Sequence, residues 1–396
     1  MLGDIFCLFP FGENKDLYCL KSPEAAFVFY PKFKNDLISG KKTKCDGRSE
    51  ILKWFNKIED ENYIYVFHLS YEYGHYQYDN QWEIISDSCC LGVLLKFKRS
   101  SLSPLGVFKN KESVGLSLKA APQYKSYRRD FNSGLNELMN GNCYQYNLTY
   151  PFLFEVKNLN RESLISSYVN VSKFRQGRFS MLTYIESLGK AFWSNTPESL
   201  FQLKRSSQKT IIQTLPIKGT SDIKKSGGKL KAWKKLKDSE KDQAELYMIT
   251  DLLRNDLNKI ERPVCEVIKK KVPLHAPGII HQMSLIQISL SPKVLLSKVI
   301  MSLFPGGSIT GAPKKRVMEI LSRIEARSRG LYCGSTIMTR DNRVDCSVNI
   351  RTAEIDLASK TLTYSAGGGI TVLSDPKLEY EEMLLKVKSF TDIIKR

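Results

Sequence analysis

The sequence predicts an α+β protein built on large β-sheets, and two observations carry that expectation. Residues 1 to about 120 read as short apolar, strand-like runs, such as Tyr63–Leu69 (YIYVFHL) and Leu91–Phe97 (LGVLLKF), separated by turn-formers and lysine-rich loops. From residue 193 to 390, strand-like and helical patterns alternate without the regular period of repeated βαβ units, which argues against a doubly wound parallel sheet. Between the two regions a helical pattern runs from Tyr124 to Asn140, where Asn-Gly-Asn breaks it, and the strand-like YQYNLTYPFLFEV follows at Tyr144–Val156. No internal repeat is visible, and no Gly/Ser/Pro stretch is long enough to act as a flexible linker. Gly227–Gly228, inside a lysine-rich run, marks an exposed loop.

Composition narrows the function classes. Of 396 residues, 42% are hydrophobic and 26% charged, as in soluble globular proteins. No apolar run approaches the roughly 20 residues that span a bilayer. The opening MLGDIFCLFPFGENKD lacks a basic n-region and a small-residue cleavage site, so a cytoplasmic location is expected. The nine cysteines (Cys7, Cys19, Cys45, Cys89, Cys90, Cys143, Cys265, Cys333 and Cys346) are odd in number and form no C-x-x-C pair, which fits a reducing compartment. His68, His75, His275 and His281 form no H-x-x-x-H pattern, so a transition-metal site is not expected. The formal charge is +19, densest at Lys224–Lys237 (KKSGGKLKAWKKLK). Without an RNA-binding aromatic signature or a zinc-finger or helix-turn-helix spacing, this run reads as solvated surface and not as a nucleic-acid groove. A positive field also favours capture of an acidic small molecule.

Four constellations could carry chemistry. In the helix Lys241–Leu257 (KDQAELYMITDLLRNDL), Glu245, Ile249, Leu252 and Asp256 share a face, and Ile249, Leu252 and Leu253 point inward. Glu245 therefore sits on or beside a buried stripe, where a carboxylate needs a cation or an outlet to water. The C-terminal helix Pro376–Lys395, capped by Ser374 or Asp375, puts Glu379, Glu382 and Lys386 on one face. A carboxylate from each helix would suit Mg²⁺, although the second trio is equally a surface i,i+4 pair. Two glycine-rich turns follow: FPGGSITGAPKK at Phe304–Lys315, leading into a helix begun by Pro313, and SAGGGIT at Ser365–Thr371, after a strand-like run. Neither is a P-loop or a G-x-G-x-x-G; both allow anion binding or close backbone contact, as tight turns also would. Finally, LPIKGTS at Leu215–Ser221 holds Lys218 between a proline-constrained strand end and a glycine, where it is a candidate nucleophile or simply a lysine near a turn.

In their order these segments resemble the chorismate-utilising enzymes: anthranilate, aminodeoxychorismate, isochorismate and salicylate synthases. The match runs over about 270 residues through CYQYNLT, TPE, PIKGT, AELYMITDLLRNDL, HQMS, FPGGSITGAPK, RGLYCGS, NIRTAE, AGGGI and the final E-x-x-E-x-x-x-K. Residues 1–120 match less, with LSYEYG at Leu69–Gly74 as their best segment. The resemblance implies two large facing antiparallel sheets flanked by helices, and a chorismate-binding catalytic domain at 121–396 behind an N-terminal β-rich subdomain at 1–120.

What the resemblance implies for chemistry turns on PIKGT. The anthranilate-forming branch has alanine at the position of Lys218, whereas in the aminodeoxychorismate branch that lysine attacks C2 of chorismate and the C4 hydroxyl leaves. Ammonia then adds at C4 and the lysine departs, giving 4-amino-4-deoxychorismate for 4-aminobenzoate and folate synthesis. By the same resemblance Glu198 in TPE is the general acid, with Thr196 replacing the usual serine, and His281 stands beside the leaving hydroxyl. Glu245 and Glu382 match Mg²⁺ ligands, with Glu379 assisting, and Lys386 contacts substrate or metal ligands. Tyr332 and Arg351 match the pair gripping the enolpyruvyl carboxylate, joined by backbone N–H groups of Gly367, Gly368 and Gly369. Gly219 and Thr220 line the ring pocket, and Ser308 holds a position usually given to a small hydroxyl residue. The chain departs from the family at Leu246, where an amide usually follows the metal ligand, and its N-terminal region shows no feedback tryptophan motif. It also has no G-x-C-x-G glutaminase nucleophile, so a separate glutaminase subunit is the expected ammonia source. Anthranilate, isochorismate or salicylate synthesis are the alternatives within the family. A basic nucleic-acid-binding protein is the alternative outside it, and leaves the acidic residues and glycine segments unexplained.

Overall fold

The computed structural model describes residues 3–12, 14–78, 86–106, 108, 112–171, 175–261, 264–276 and 279–394. Two antiparallel sheets dominate them, one of ten strands and one of twelve. The first sheet runs from Gly311–Ala312 through Gln145–Lys157, Thr361–Ile370, Thr352–Asp356, Lys190–Thr196 and Phe179–Ile185 to Ile5–Phe11 and two further strands, with Gly115–Ala120 also pairing with Gln145–Lys157. The second runs from Ile217–Asp222 through Ile279–Leu290, Thr210–Thr214, Ser199–Arg205, Arg343–Val348 and Ser335–Arg340 to Tyr63–Leu69, Gly92–Lys98 and three more, with Glu266–Ala276 also pairing with Ile279–Leu290.

Successive side chains of a strand point to opposite faces, and here both faces are buried. In Tyr63–Leu69, Ile64 and Val66 enter the core between the sheets, while Tyr65, Phe67 and Leu69 enter a second core beneath the helices Gly47–Phe55 and Leu296–Leu303. In Ile5–Phe11, Ile5, Cys7 and Phe9 meet the other sheet, while Phe6 and Leu8 join a third core under the helices Tyr124–Met139, Lys314–Glu325 and Pro376–Ile394. The layers are thus helix, sheet, sheet, helix: the α+β class that the sequence predicts, in the arrangement of facing sheets that the family resemblance implies. Double-sided burial explains why these strands read as unbroken apolar runs.

The strands of residues 1–120 form no sheet of their own. Ile5–Phe11 pairs with Phe179–Ile185 in the first sheet, and Tyr63–Leu69 pairs with Ser335–Arg340 in the second. No helix among the described residues is long and apolar enough to cross a membrane.

Candidate active site

The Lys218 strand, Ile217–Asp222, lies at the end of the second sheet, antiparallel to Ile279–Leu290. The register places Lys218 opposite Gln282 and Thr220 opposite His281, with the ladder shifted between Lys218 and Thr220. Gly219 takes up the irregularity with φ +74°, a left-handed conformation that favours glycine. A Cβ there would also come within 3.1 Å of Asp242 and Leu236. The bulge brings Thr220 Oγ1 to 2.8 Å from His281 Nδ1. Burial lowers the His281 imidazole pKa; a hydrogen bond with the Gly219 backbone opposes this, and the Arg351 charge adds to it.

Across from this strand runs the helix Glu240–Asn258, capped by Ser239, whose Oγ accepts the Asp242 N–H at 3.2 Å. Ile249, Leu253 and Leu257 anchor it in the core, as the 3.6-residue period requires. Glu245 projects from the edge of that stripe with Oε2 3.9 Å from Lys218 Nζ, both side chains being 17% exposed. Further along the same helix, Asp256 is buried and pairs with the buried Lys314 Nζ at 2.5 Å. Lys314 also donates to the Leu303 carbonyl at 2.7 Å, tying the FPGGSITGAPK segment to this helix. Leu252 Cδ2 occupies the space a Cβ on Gly307 would need, coming within 2.2 Å of it. That close fit sets Ser308 against Glu198: Ser308 Oγ donates to Glu198 Oε1 at 2.5 Å. Burial raises the Glu198 carboxyl above the ordinary range, while the Ser308 hydroxyl and the Lys218 ammonium pull it back. The pairs Lys218–Glu245, Ser308–Glu198 and Thr220–His281 thus share one region, with the Lys218 charge felt by Glu198.

A second group lies on the first sheet. The glycines Gly367, Gly368 and Gly369 are not in a turn, as the sequence suggested, but inside the strand Thr361–Ile370, opposite Thr149, Leu148 and Asn147. The reason is close approach: a Cβ on Gly367 would stand 2.0 Å from the Leu148 carbonyl oxygen, and one on Gly369 2.1 Å from Gln145 Nε2. On its other side this strand is paired only over Thr361–Tyr364, so its glycine end has an edge without a strand neighbour among the described residues. Gly368 faces the C-terminal helix Pro376–Ile394, where a Cβ would lie 3.1 Å from Glu379 Oε2 and 3.8 Å from Lys386 Nζ. Of the two candidate caps of that helix, Asp375 accepts the Lys377 and Leu378 N–H groups, each at 2.9 Å; Lys395 lies outside the described residues. Ser374 instead donates to Glu379 Oε1 at 2.8 Å. Lys386 Nζ reaches Glu382 Oε1 at 2.9 Å and donates to the Gly367 carbonyl at 2.8 Å. The helix Lys314–Glu325 begins one residue after Pro313, which occupies its cap position.

Arg351 immediately precedes the strand Thr352–Asp356, and its charge bears on His281 in the first group and on Tyr364, in the glycine strand, in the second. It holds φ +52°, and its carbonyl accepts the Asn195 N–H at 2.9 Å. Tyr332 is buried at 6% exposure in the turn before Ser335–Arg340, and burial raises its phenol well above the ordinary value. For a metal, the available donors are carboxylate oxygens, the type Mg²⁺ prefers. They are not gathered into a cage: Glu245 faces Lys218, Glu382 faces Lys386, and among the described residues no three His, Cys, Asp or Glu groups converge. Sequence reasoning missed the buried Asp256–Lys314 and Glu325–Arg329 pairs that brace the site, although the i,i+4 spacing of the second was a readable signal.

The site brings an amine, a buried carboxyl and a histidine to one region of the second sheet and the elements packed on it. The chain belongs to the chorismate binding enzyme family, whose model matches residues 108–392. It is similar to a probable chloroplastic aminodeoxychorismate synthase of Oryza sativa subsp. japonica, 34% identical over 271 residues, covering 68% of this chain and 29% of that protein. It is also similar to aminodeoxychorismate synthase component 1 of Salmonella typhimurium, 32% identical over 253 residues, covering 63% of this chain and 53% of that protein. The matches thus span about half or less of those relatives' lengths. The fold is that of anthranilate synthase component I from Streptococcus pneumoniae, with a TM-score of 0.75 over 99% of this chain and 93% of that one, at 18% identity.

Proposed function

We propose that this chain converts chorismate and ammonia to 4-amino-4-deoxychorismate through a covalent adduct on Lys218. The observation that carries the reading is the placement of Lys218: its amine lies 3.9 Å from Glu245 and within the field of Glu198, a carboxyl that burial holds toward its protonated form. A nucleophile beside a proton donor suits displacement of a hydroxyl, which leaves readily only as water. The neutral Lys218 amine forms a bond to C2 of chorismate, both ring double bonds shift by one position toward C4, and the C4 hydroxyl departs with the Glu198 proton as water. Ammonia then bonds to C4, both double bonds shift back, and Lys218 leaves C2 as the amine. The surplus proton on the new ammonium returns to Glu198, so the net change is chorismate plus ammonia to 4-amino-4-deoxychorismate plus water.

The remaining assignments follow by position. His281 stands beside the leaving hydroxyl, its Nδ1 held by Thr220. Tyr332, Arg351 and the glycine strand take the enolpyruvyl carboxylate, and Gly219 borders the ring. Glu245 and Glu382, assisted by Glu379, are the residues that would come together to hold Mg²⁺, which when bound would neutralise the ring carboxylate. The Salmonella relative is named as a component 1, which supports a separate glutaminase subunit as the ammonia source.

The test is to incubate the purified chain with chorismate, a magnesium salt and an ammonium salt, and to identify the product by mass spectrometry. The expected product is 4-amino-4-deoxychorismate, lost with EDTA and in Lys218→Ala, whose melting temperature should stay near that of the unmodified chain. Anthranilate or isochorismate as product, or full turnover by Lys218→Ala, would overturn the reading.

A further inference from the structure

We propose that Glu72, acting with Glu354, is a positioning residue that fixes the Arg329–Tyr332 turn and so aims Tyr332 at the substrate carboxylate; the proposal rests on the role given to Tyr332 above. Glu72 belongs to LSYEYG, the N-terminal segment that the proposed chemistry leaves without a role. It is 4% exposed, just past the strand Tyr63–Leu69. Its Oε1 accepts the Arg329 N–H at 2.6 Å and the Gly330 N–H at 3.4 Å, and its Oε2 accepts the Gly330 N–H at 3.1 Å. From the other side Glu354 Oε1, in the strand Thr352–Asp356, accepts the Leu331 N–H at 2.8 Å.

Three successive N–H groups thus meet two carboxylates brought in from opposite ends of the chain. Burying carboxylates is costly, so their convergence on one turn indicates that its conformation matters. Gly330 is bound into the same arrangement: it has φ +65°, and a Cβ there would come within 2.4 Å of Glu354 Oε1. Its carbonyl accepts the Tyr71 N–H at 2.8 Å, and the Arg329 guanidinium lies 4.5 Å over the Tyr71 ring. After Tyr332 the chain is held again, by Cys333 N–H to the Asn349 carbonyl at 2.9 Å and Gly334 N–H to the Leu331 carbonyl at 3.0 Å. The Tyr332 backbone is therefore clamped on both sides.

Arg329 extends the clamp to the rest of the site. Its guanidinium donates to the Ile309 carbonyl, next to Ser308, at 3.0 Å, and to the carbonyl of Asn147, opposite Gly369, at 2.8 Å. Glu325 holds the same guanidinium at 2.8 Å. By gripping the Arg329 backbone, Glu72 sets the Tyr332 turn, the Ser308 loop and the glycine strand in one register.

The experiment is steady-state kinetics on Glu72→Gln, Glu354→Gln, Tyr332→Phe and the Glu72→Gln/Tyr332→Phe pair, each with its melting temperature. Glutamine keeps the size of Glu72 but turns one acceptor into a donor facing N–H groups. The expected result is a rise of about tenfold in KM for chorismate with kcat changed by no more than about threefold, the pattern of lost substrate binding. Tyr332→Phe should do the same, and adding Glu72→Gln to it should raise KM by less than about twofold more, because both act through one contact. A lowered melting temperature with unchanged KM in Glu72→Gln, or effects that multiply in the double variant, would make Glu72 merely structural and overturn the proposal. If Glu72→Gln does not fold, Glu354→Gln, which disturbs the turn from the other side, is read in the same way. If Tyr332→Phe itself leaves KM unchanged, the assignment of Tyr332 falls, and the proposal with it; if only the glutamate variants leave it unchanged, the assignment stands and the proposal alone fails.

Discussion

The Ser308 hydroxyl donates to Glu198 at 2.5 Å and opposes the burial that raises this carboxyl. A hydrogen bond given to the ionised form favours that form, so removing it lets the pKa climb. If Glu198 supplies the proton for the leaving hydroxyl, activity falls as pH rises through its pKa. Ser308→Ala should therefore shift the alkaline limb of the kcat/KM profile to higher pH, while the rate at neutral pH drops by about tenfold through lost positioning. Profiles of both proteins between roughly pH 5.5 and 9.5 check this, and a limb that moves down or stays put removes Glu198 from the acid's role. At this scale the sequence was informative about residue types and silent about partners. The spacing of Glu245 from Ile249 and Leu252 put it at the edge of a buried stripe, where it lies. That its carboxylate faces Lys218 depends on how a helix crosses a strand 27 positions earlier in the chain, which no local pattern encodes.

Strands buried on both faces were easy to read, because Tyr63–Leu69 can be apolar at nearly every position, His68 apart, only if both sides meet a core. The glycine strand was misread for the opposite reason. Three glycines in a row look like a turn, and what makes them a strand is the backbone of Gln145–Lys157, whose closeness is a tertiary fact. The same contacts separate the glycines by function. Gly367→Ala drives a methyl group against the Leu148 carbonyl, a backbone atom that cannot swing away, and should destabilise the chain by about 1–3 kcal/mol. Gly368→Ala meets only the ends of Glu379 and Lys386, so stability should stay within roughly 1 kcal/mol while KM for chorismate rises. Denaturant unfolding beside kinetics separates the two; a Gly367→Ala chain of full stability would show that the ladder has room the geometry denies.

At the scale of the whole molecule, the N-terminal strands decide whether the candidate site residues have a platform. The family model begins at residue 108, and the sequence suggested a β-rich segment before a catalytic domain. The strands do not respect that division. Removing residues 1–120 would uncover the long edge of Phe179–Ile185 in the first sheet and of Ser335–Arg340 in the second. It would also take Ile5, Cys7, Phe9, Ile64, Val66, Val93 and Leu95 out of the core between the sheets, leaving Met181, Ile185, Phe192 and Met338 facing water. Bare edges of apolar strands pair with other chains, and a core stripped of most of its side chains loses far more than the marginal stability of a folded protein. A fragment of residues 121–396 should therefore be aggregated or lack a cooperative melt, where the full chain melts in one transition. It should also bind chorismate more weakly, because Glu72 goes with the missing part and the Arg329–Tyr332 turn loses one of its two carboxylates. Size-exclusion chromatography and calorimetry on the fragment decide the matter. A monomeric fragment with a sharp melt would mean that the sheets can close without their N-terminal strands, and its KM for chorismate would then report directly on what Glu72 contributes.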